Sequence, residues 1–173
     1  MDVFEAIARR RSVRQFAAEK PVDEEAVRRI LEAGIAAPSA GNGQSWRFVV
    51  VRDPEVKHRL AYEAGHQRFI DQAPVAIVVC ADLDAAEKGY GERGRETYAL
   101  QDTAAAIENM LLAICDMGLG SCWVGAFSEA VASEILGLAG NVRPLAILPV
   151  GFPAEPSLRV PPRRRVEEVS TFR

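Results

Sequence analysis

Val75-Ala-Ile-Val-Val-Cys-Ala81 is an unbroken apolar run of strand length, bounded by Pro74 and Asp82. A run without polar alternation is typical of a strand that is covered on both faces. It therefore predicts a central strand between layers of helices. The β-branched and aromatic segment Trp46–Val51 predicts a second strand, and residues 145–150 predict a third, in which Pro149 favours an edge or end position.

Helical patterns flank these strands. Asp2 with Glu5 three residues later predicts a first helix that ends near Arg10, and Asp23 predicts the start of a second that ends before Pro38. The pair Asp53-Pro54 predicts a third helix. Residues 98–117 carry the longest helical pattern, which is apolar on several sides, and residues 128–136 carry a shorter one. We expect a short strand at residues 122–124 and a loop or lid at the glycine-rich, charged residues 84–96.

Composition limits the classes of function. The 173 residues are 49% hydrophobic and carry a formal net charge of −3, which predicts one folded domain over residues 1–173 and no global attraction to nucleic acid or an anionic membrane. The three cysteines have no CxxC spacing, so neither a disulfide framework nor a metal site is expected. No apolar stretch is long enough for a membrane span, and no signal-peptide pattern is present, so a cytoplasmic protein is predicted.

Two arginine clusters indicate an anionic ligand. The first is Arg9-Arg10-Arg11-Ser12-Val13-Arg14, and the second is Arg163-Arg164-Arg165 after a proline-spaced segment. Guanidinium groups bind phosphate bidentately and a hydroxyl can donate to the same oxygens, although either cluster alone could be a solvated surface. If the clusters converge, like charges would repel unless an anion such as phosphate lies between them.

Two further segments would suit a flat heterocycle. Pro38-Ser-Ala-Gly-Asn42, followed by Gln44 and Trp46, offers amides and small residues before a strand. Gly118-Leu-Gly-Ser-Cys-Trp-Val-Gly-Ala-Phe127 offers backbone amides that could lie against a ring. By itself, the first segment is also compatible with an ordinary loop between a helix and a strand. The second is also compatible with glycines that flank a buried strand.

Taken together and in order, these motifs, with the central apolar strand and Glu108-Asn-Met-Leu-Leu-Ala113, resemble the nitroreductase family over nearly the whole chain. The resemblance implies an α+β sandwich with a mixed, mostly antiparallel sheet. It also implies an intertwined homodimer, in which residues 152–173 form an arm that reaches the partner, and FMN at the interface. The implied activity is ping-pong transfer of a hydride from NADH or NADPH, through flavin N5, to a nitroaromatic, quinone or other organic acceptor.

The resemblance also implies roles by position. The FMN phosphate, ribityl chain and pyrimidine edge would contact Arg10, Arg11, Ser12 and Arg14, and the phosphate would also contact Arg164, with Arg163 or Arg165 beside it. The partner subunit would contribute its own copies of Pro38, Ser39, Ala40 and Asn42. The segment against N5 would be Val124, Gly125 and Ala126, and an amide near the ring would come from Gln67 or from His66.

Gly125 and Arg14 would then act in catalysis, through a backbone N–H at N5 and a cation that stabilises the reduced, anionic ring. Other functions remain open on the sequence: a flavin-binding store or redox sensor without turnover, an oxidase-like or dehalogenase-like specialist on the same scaffold, or a protein that binds another phosphorylated ligand. A role for His66 as a general acid is a further, weaker hypothesis.

Overall fold

The computed structural model describes residues 1–155 and 161–173, so residues 156–160 of the predicted arm, including Pro156, lie outside the described part. Seven α-helices and four β-strands are found there. In chain order they are α1 Val3–Arg9, α2 Glu24–Ile35, β1 Trp46–Val51, α3 Pro54–Arg59, α4 Phe69–Gln72, β2 Val75–Asp82, α5 Leu83–Arg93, α6 Ala99–Asp116, β3 Gly120–Ser121, α7 Glu129–Leu136 and β4 Val142–Gly151. Short helical turns at Ala40–Asn42, Leu60–Ala64, Gly94–Tyr98 and Val166–Glu168 complete the description.

The strands form one sheet in the order β1-β2-β4-β3, and each neighbouring pair is antiparallel. As predicted, β2 is central and every one of its residues is buried. One face of the sheet packs on α2 and α6 through Val79 and Leu148, and the other packs on the α3 and α7 side through Val78 and Ile147. The α+β sandwich is therefore confirmed.

Local capping explains where the helices begin. The Asp23 carboxylate accepts the Ala26 amide hydrogen at 2.7 Å, and Ser128 accepts that of Val131 at 3.3 Å. Each bond satisfies a backbone donor that has no partner inside the first turn. The predicted starts of α2 and α7 are thus confirmed.

The prediction of a loop at residues 84–96 is wrong, because α5 occupies most of that segment. The Asp82 side chain accepts the Ala85 amide hydrogen at 3.0 Å and starts the helix, which the alanines then favour. The glycines produce a kink instead of a loop: Gly91 adopts a φ of +56° within the helical segment. A side chain at Gly94 would collide with the Ala86 carbonyl oxygen, so this glycine allows close packing.

Two strand predictions also need correction. The strand expected at residues 122–124 is displaced to Gly120–Ser121, and only Val124 forms a further bridge, to Ile147. Strand β4 is not an edge strand, since it lies between β2 and β3. Pro149 is tolerated because its nitrogen faces the β3 side, where pairing is confined to Gly151, Val150 and Ile147.

The N-terminal segment after α1 returns to the sheet. Ser12 bridges Ser121 in parallel orientation, and Phe16 bridges Pro153. The Ala17 amide donates to the Phe152 carbonyl at 2.9 Å. Residues 12–17 therefore lie along the end of the sheet that carries β3.

Candidate functional site

The end of helix α1 gathers three of the arginines. Arg11 Nη1 donates to the carbonyl oxygens of Ala8 and Arg10, at 2.6 and 2.7 Å, where the last turn of a helix leaves acceptors unpaired. Arg10 Nε lies 3.5 Å from a carboxylate oxygen of Glu108 on α6. Arg10 and Arg11, two of the predicted phosphate ligands, thus lie together at the C-terminal end of α1.

Residues 12–14 continue from these arginines onto β3. The Val13 amide donates to the Ser121 carbonyl at 2.8 Å. The Arg14 guanidinium lies 5.9 Å from the centre of the Phe69 ring. In the described part of the chain no carboxylate pairs with Arg14, so its positive charge is available to a ligand.

The segment predicted to face flavin N5 begins at Val124, three residues after the end of β3. Val124 exchanges two backbone hydrogen bonds with Ile147, at 3.0 and 2.9 Å, which fixes its position beside the sheet. Gly125 and Ala126 are exposed. Neither of their amides donates to another backbone group within residues 1–155 and 161–173, so both are free to donate to a ligand.

Gln67 and His66 follow the helical turn Leu60–Ala64. The Gln67 amide donates to the Ala61 carbonyl at 2.8 Å, and its side chain is half-buried, two residues before Phe69. His66 is exposed and adopts a φ of +50°, a left-handed conformation that is unusual without glycine. Phe69, two residues after Gln67, is the residue whose ring lies beside Arg14, so the Gln67 segment is close to Arg14.

The second predicted segment, Pro38, Ser39, Ala40 and Asn42, lies elsewhere in the chain. The Ala40 amide donates to Asp102 Oδ1 at 3.0 Å, in the first turn of α6, whereas β3 follows the last turn of the same helix. An α-helix of 18 residues is about 27 Å long. One chain therefore does not bring this loop to residues 12–14.

The three C-terminal arginines make local contacts. Arg164 Nη2 donates to the Glu168 carbonyl at 2.8 Å, and Arg165 Nε lies 3.4 Å from the Glu168 carboxylate. Arg163 Nη1 is 3.4 Å from the Pro161 carbonyl. These contacts all lie within residues 161–168, and the convergence of the two arginine clusters stays a prediction.

A cavity of about 350 Å³ lies between the first arginine cluster and residues 118–121. Ser121 lines it, is 3% exposed, and has a hydroxyl without a hydrogen-bond partner in the described part of the chain. Cys115 also lines it; burial raises the pKa of its thiol, and the nearby arginines oppose that shift. Sequence reasoning missed Ser121, although the glycines before it had marked the segment.

The described residues contain no group of three or more His, Cys, Asp or Glu side chains placed to hold a metal ion. Burial raises the pKa of Cys80 to about 12, which keeps that thiol protonated at neutral pH. Within residues 1–155 and 161–173, every helix is too short or too polar to cross a bilayer.

The fold and this surface define an α+β domain with a cluster of cations and free backbone amides beside its sheet. The sequence pattern of the nitroreductase family matches residues 7–65 and 56–152. The chain belongs to the nitroreductase family, as its sequence motifs predicted.

Individual relatives agree with this assignment. A Bacillus subtilis protein named FMN reductase [NAD(P)H] is 32% identical over 186 residues, which covers 99% of this chain and 74% of that protein. Among solved structures, a nitroreductase family protein from Streptococcus pneumoniae superposes with a TM-score of 0.89 at 27% identity, covering 99% of this chain and 100% of that one. The Vibrio harveyi NADPH:FMN oxidoreductase in complex with NAD+ superposes with a TM-score of 0.88 at 30% identity, covering 98% and 76%.

Proposed function

We propose that this chain is an FMN-dependent oxidoreductase that passes a hydride from NADH or NADPH to an organic acceptor, with nitroaromatic compounds and quinones as the acceptor classes. The names of the relatives, an NAD(P)H-dependent FMN reductase and an NADPH:FMN oxidoreductase, confirm the predicted enzyme class and cofactors at that level. The acceptor and the ping-pong order of substrates belong to the proposal.

One observation carries the proposal: the segment that leads into Arg14 pairs with Ser121 through Ser12 and Val13, and Val124, which precedes the free amides of Gly125 and Ala126, pairs with Ile147, so both segments border the β3 side of the sheet. These groups fit FMN chemically. Arginine and serine suit a phosphate and a ribityl chain, and backbone N–H groups can approach a flat ring without a side chain between them. Arg10 and Arg11 line the cavity beside Ser121. Together with Val124 and Gln67 they complete the binding set that we propose for this subunit.

Bound FMN supplies a ring atom, N5, that accepts a hydride and later returns it. The Gly125 amide would orient that edge by donating a hydrogen bond. Arg14 would place a positive charge where negative charge develops on reduction, and a charge fixed in advance stabilises such a state without reorganisation. Gly125 is exposed, and in the proposed ping-pong order the spent nucleotide would leave before an acceptor enters.

The complete site needs a second copy of the chain. The loop with Ser39 and Asn42 is fixed at the first turn of α6, too far from residues 12–14 of its own chain, so it would serve the partner's cofactor. Helix α1 presents Phe4, 79% exposed, and Ile7, 53% exposed, which a partner subunit would cover. The arm at residues 152–173, with Arg163 and Arg164, would close each phosphate site across this interface.

The absorption spectrum of the purified protein tests the proposal directly. We expect a yellow protein whose flavin band bleaches when NADPH or NADH is mixed in without oxygen, and returns when a quinone is added. A yellow protein that does not bleach would instead be a flavin store or sensor. A colourless protein that takes up no added FMN would bind some other phosphorylated ligand, and either result would refute the proposed activity.

A further inference from the structure

A second cavity, of about 410 Å³, lies between the loop at residues 40–45 and helix α5. The first turn of α6 contributes Asp102 to its wall. Its other relevant lining residues are Ser45, Lys88, Tyr90 and Tyr98. Ala40, which the resemblance places against the partner's flavin, also lines the cavity, but no residue of the segments that carry Arg14 or Gly125 does.

Two buried polar groups line this cavity without full satisfaction. Ser45 is 1% exposed, and its hydroxyl has no hydrogen-bond partner in the described part of the chain. Asp102 is 8% exposed; its Oδ1 accepts the Ala40 amide hydrogen, while its Oδ2 accepts no hydrogen bond from residues 1–155 or 161–173. Leaving the buried Ser45 hydroxyl unpaired is costly, and Asp102 Oδ2 is an open acceptor beside it, which indicates that a ligand with polar groups fits here.

The walls of the cavity suit a flat ring. Tyr90 and Tyr98 pack edge to face with centroids 5.1 Å apart, and Ala85 and Ala86 add small side chains. Gly41 has a φ of +56°, and a Cβ there would lie 2.8 Å from the Tyr90 hydroxyl, so glycine at this position allows the Tyr90 ring to pack against the loop. Lys88, which is exposed, adds a positive charge at the rim.

We propose that this cavity binds the adenosine end of the pyridine nucleotide, an inference that rests on the proposed function. The exocyclic amine of adenine would donate to Asp102 Oδ2, and the ring would lie against the tyrosines. Lys88 would pair with a nucleotide phosphate at the rim, the 2′-phosphate of NADPH included. The loop that forms this cavity is the one that we propose to contact the partner's flavin. The adenosine end of a nucleotide would then bind in this cavity while its nicotinamide end reaches the flavin held by the partner.

The test compares a full and a truncated hydride donor. In Asp102→Asn the Ala40 contact survives, because the amide oxygen still accepts, but the free oxygen becomes an N–H donor that opposes the adenine amine. We expect its KM for NADPH to rise at least about tenfold, while reduced nicotinamide mononucleotide, which has no adenosine, keeps its KM. Lys88→Ala should raise the KM for NADPH more than the KM for NADH.

Glu92→Gln is the control, because Glu92 is an exposed residue of α5 that does not line the cavity. Both KM values should stay unchanged in this variant.

Calorimetry provides a readout that does not depend on turnover. Adenosine 2′,5′-bisphosphate should bind the wild-type protein and bind Asp102→Asn at least about tenfold more weakly. Absence of binding to the wild type, or equal losses with the full and truncated donors, would overturn the assignment. If neither donor bleaches the flavin while the bisphosphate still binds, the proposed activity fails and the adenosine site stands.

Discussion

The contact between Gly120 and Val13 leads to a sharp prediction for Gly120→Ala. A Cβ at position 120 would lie 2.7 Å from Val13 Cγ2, 2.8 Å from its Cβ and 2.9 Å from its Cγ1. Real Cβ contacts are essentially never that short, and a β-branched side chain cannot move all three atoms away by rotation. The segment that carries Ser12 and Arg14 must therefore move off β3.

The expected cost follows from overpacking. Forcing one methyl group into a filled contact costs about 1–3 kcal/mol. In a chain of this size that corresponds to a fall in Tm of roughly 2–12 °C. Because the Val13 amide also loses its bond to Ser121, we expect the affinity for FMN to fall at least about tenfold.

Thermal unfolding and a flavin fluorescence titration would measure both effects, with Gly140→Ala as the control because nothing lies within 4 Å of its Cβ position. Val13→Gly removes all three clashing atoms. The double variant Gly120→Ala with Val13→Gly should therefore be no less stable than Val13→Gly alone. Additive losses in the double variant would refute the steric reasoning.

Three further predictions concern charge and capping. In a fluorescence titration, Arg14→Ala should weaken FMN binding about tenfold to a hundredfold, and Arg14→Lys should weaken it less. Arg28→Ala, on the exposed face of α2, should leave FMN binding unchanged. Unchanged FMN binding in Arg14→Ala would contradict the role of Arg14. Burial raises the pKa of Asp102 in the folded state above 3.8, so the free energy of unfolding should fall as pH rises from 3.8 through the raised pKa. Urea unfolding of Asp102→Asn should lack this pH dependence. Parallel pH profiles of the variant and the wild type would refute the raised pKa. Asp23→Ala should lower the free energy of unfolding by about 1 kcal/mol, which calorimetry would record as a fall in Tm of roughly 2–4 °C. Asp23→Asn should keep the capping bond and the Tm. Equal losses of stability in the two variants would exclude the capping bond as the cause.

Long periodic segments made most of the fold predictable. The unbroken apolar run of β2, the cap of α2 and the helical spacing of apolar residues in α6 are each visible within one segment of the sequence. Residues 84–96 were misjudged because glycine and charge usually mark loops. There the capping bond from Asp82 and the packing of Gly94 on Ala86 decide the structure, and neither is visible without the neighbouring elements.

The sequence predicted several segments of the candidate site but not its buried polar residues. Arg14 and Gly125 stood out by residue type, and the structure places their segments at the same end of the sheet. Ser121 and Asp102 did not, because a buried serine or aspartate has no distinctive spacing. Their interest arises from burial without a full set of partners, a property of tertiary structure alone.

The pairing of residues 12–17 with Ser121 and Pro153 has a consequence for biosynthesis. Residues 12–17 can complete these contacts only after Ser121 and Pro153 have been synthesised, although α2 and the β1-β2 ladder can form earlier. The surface that we propose for the flavin would therefore be completed late in synthesis, when residues 12–17 close onto the sheet.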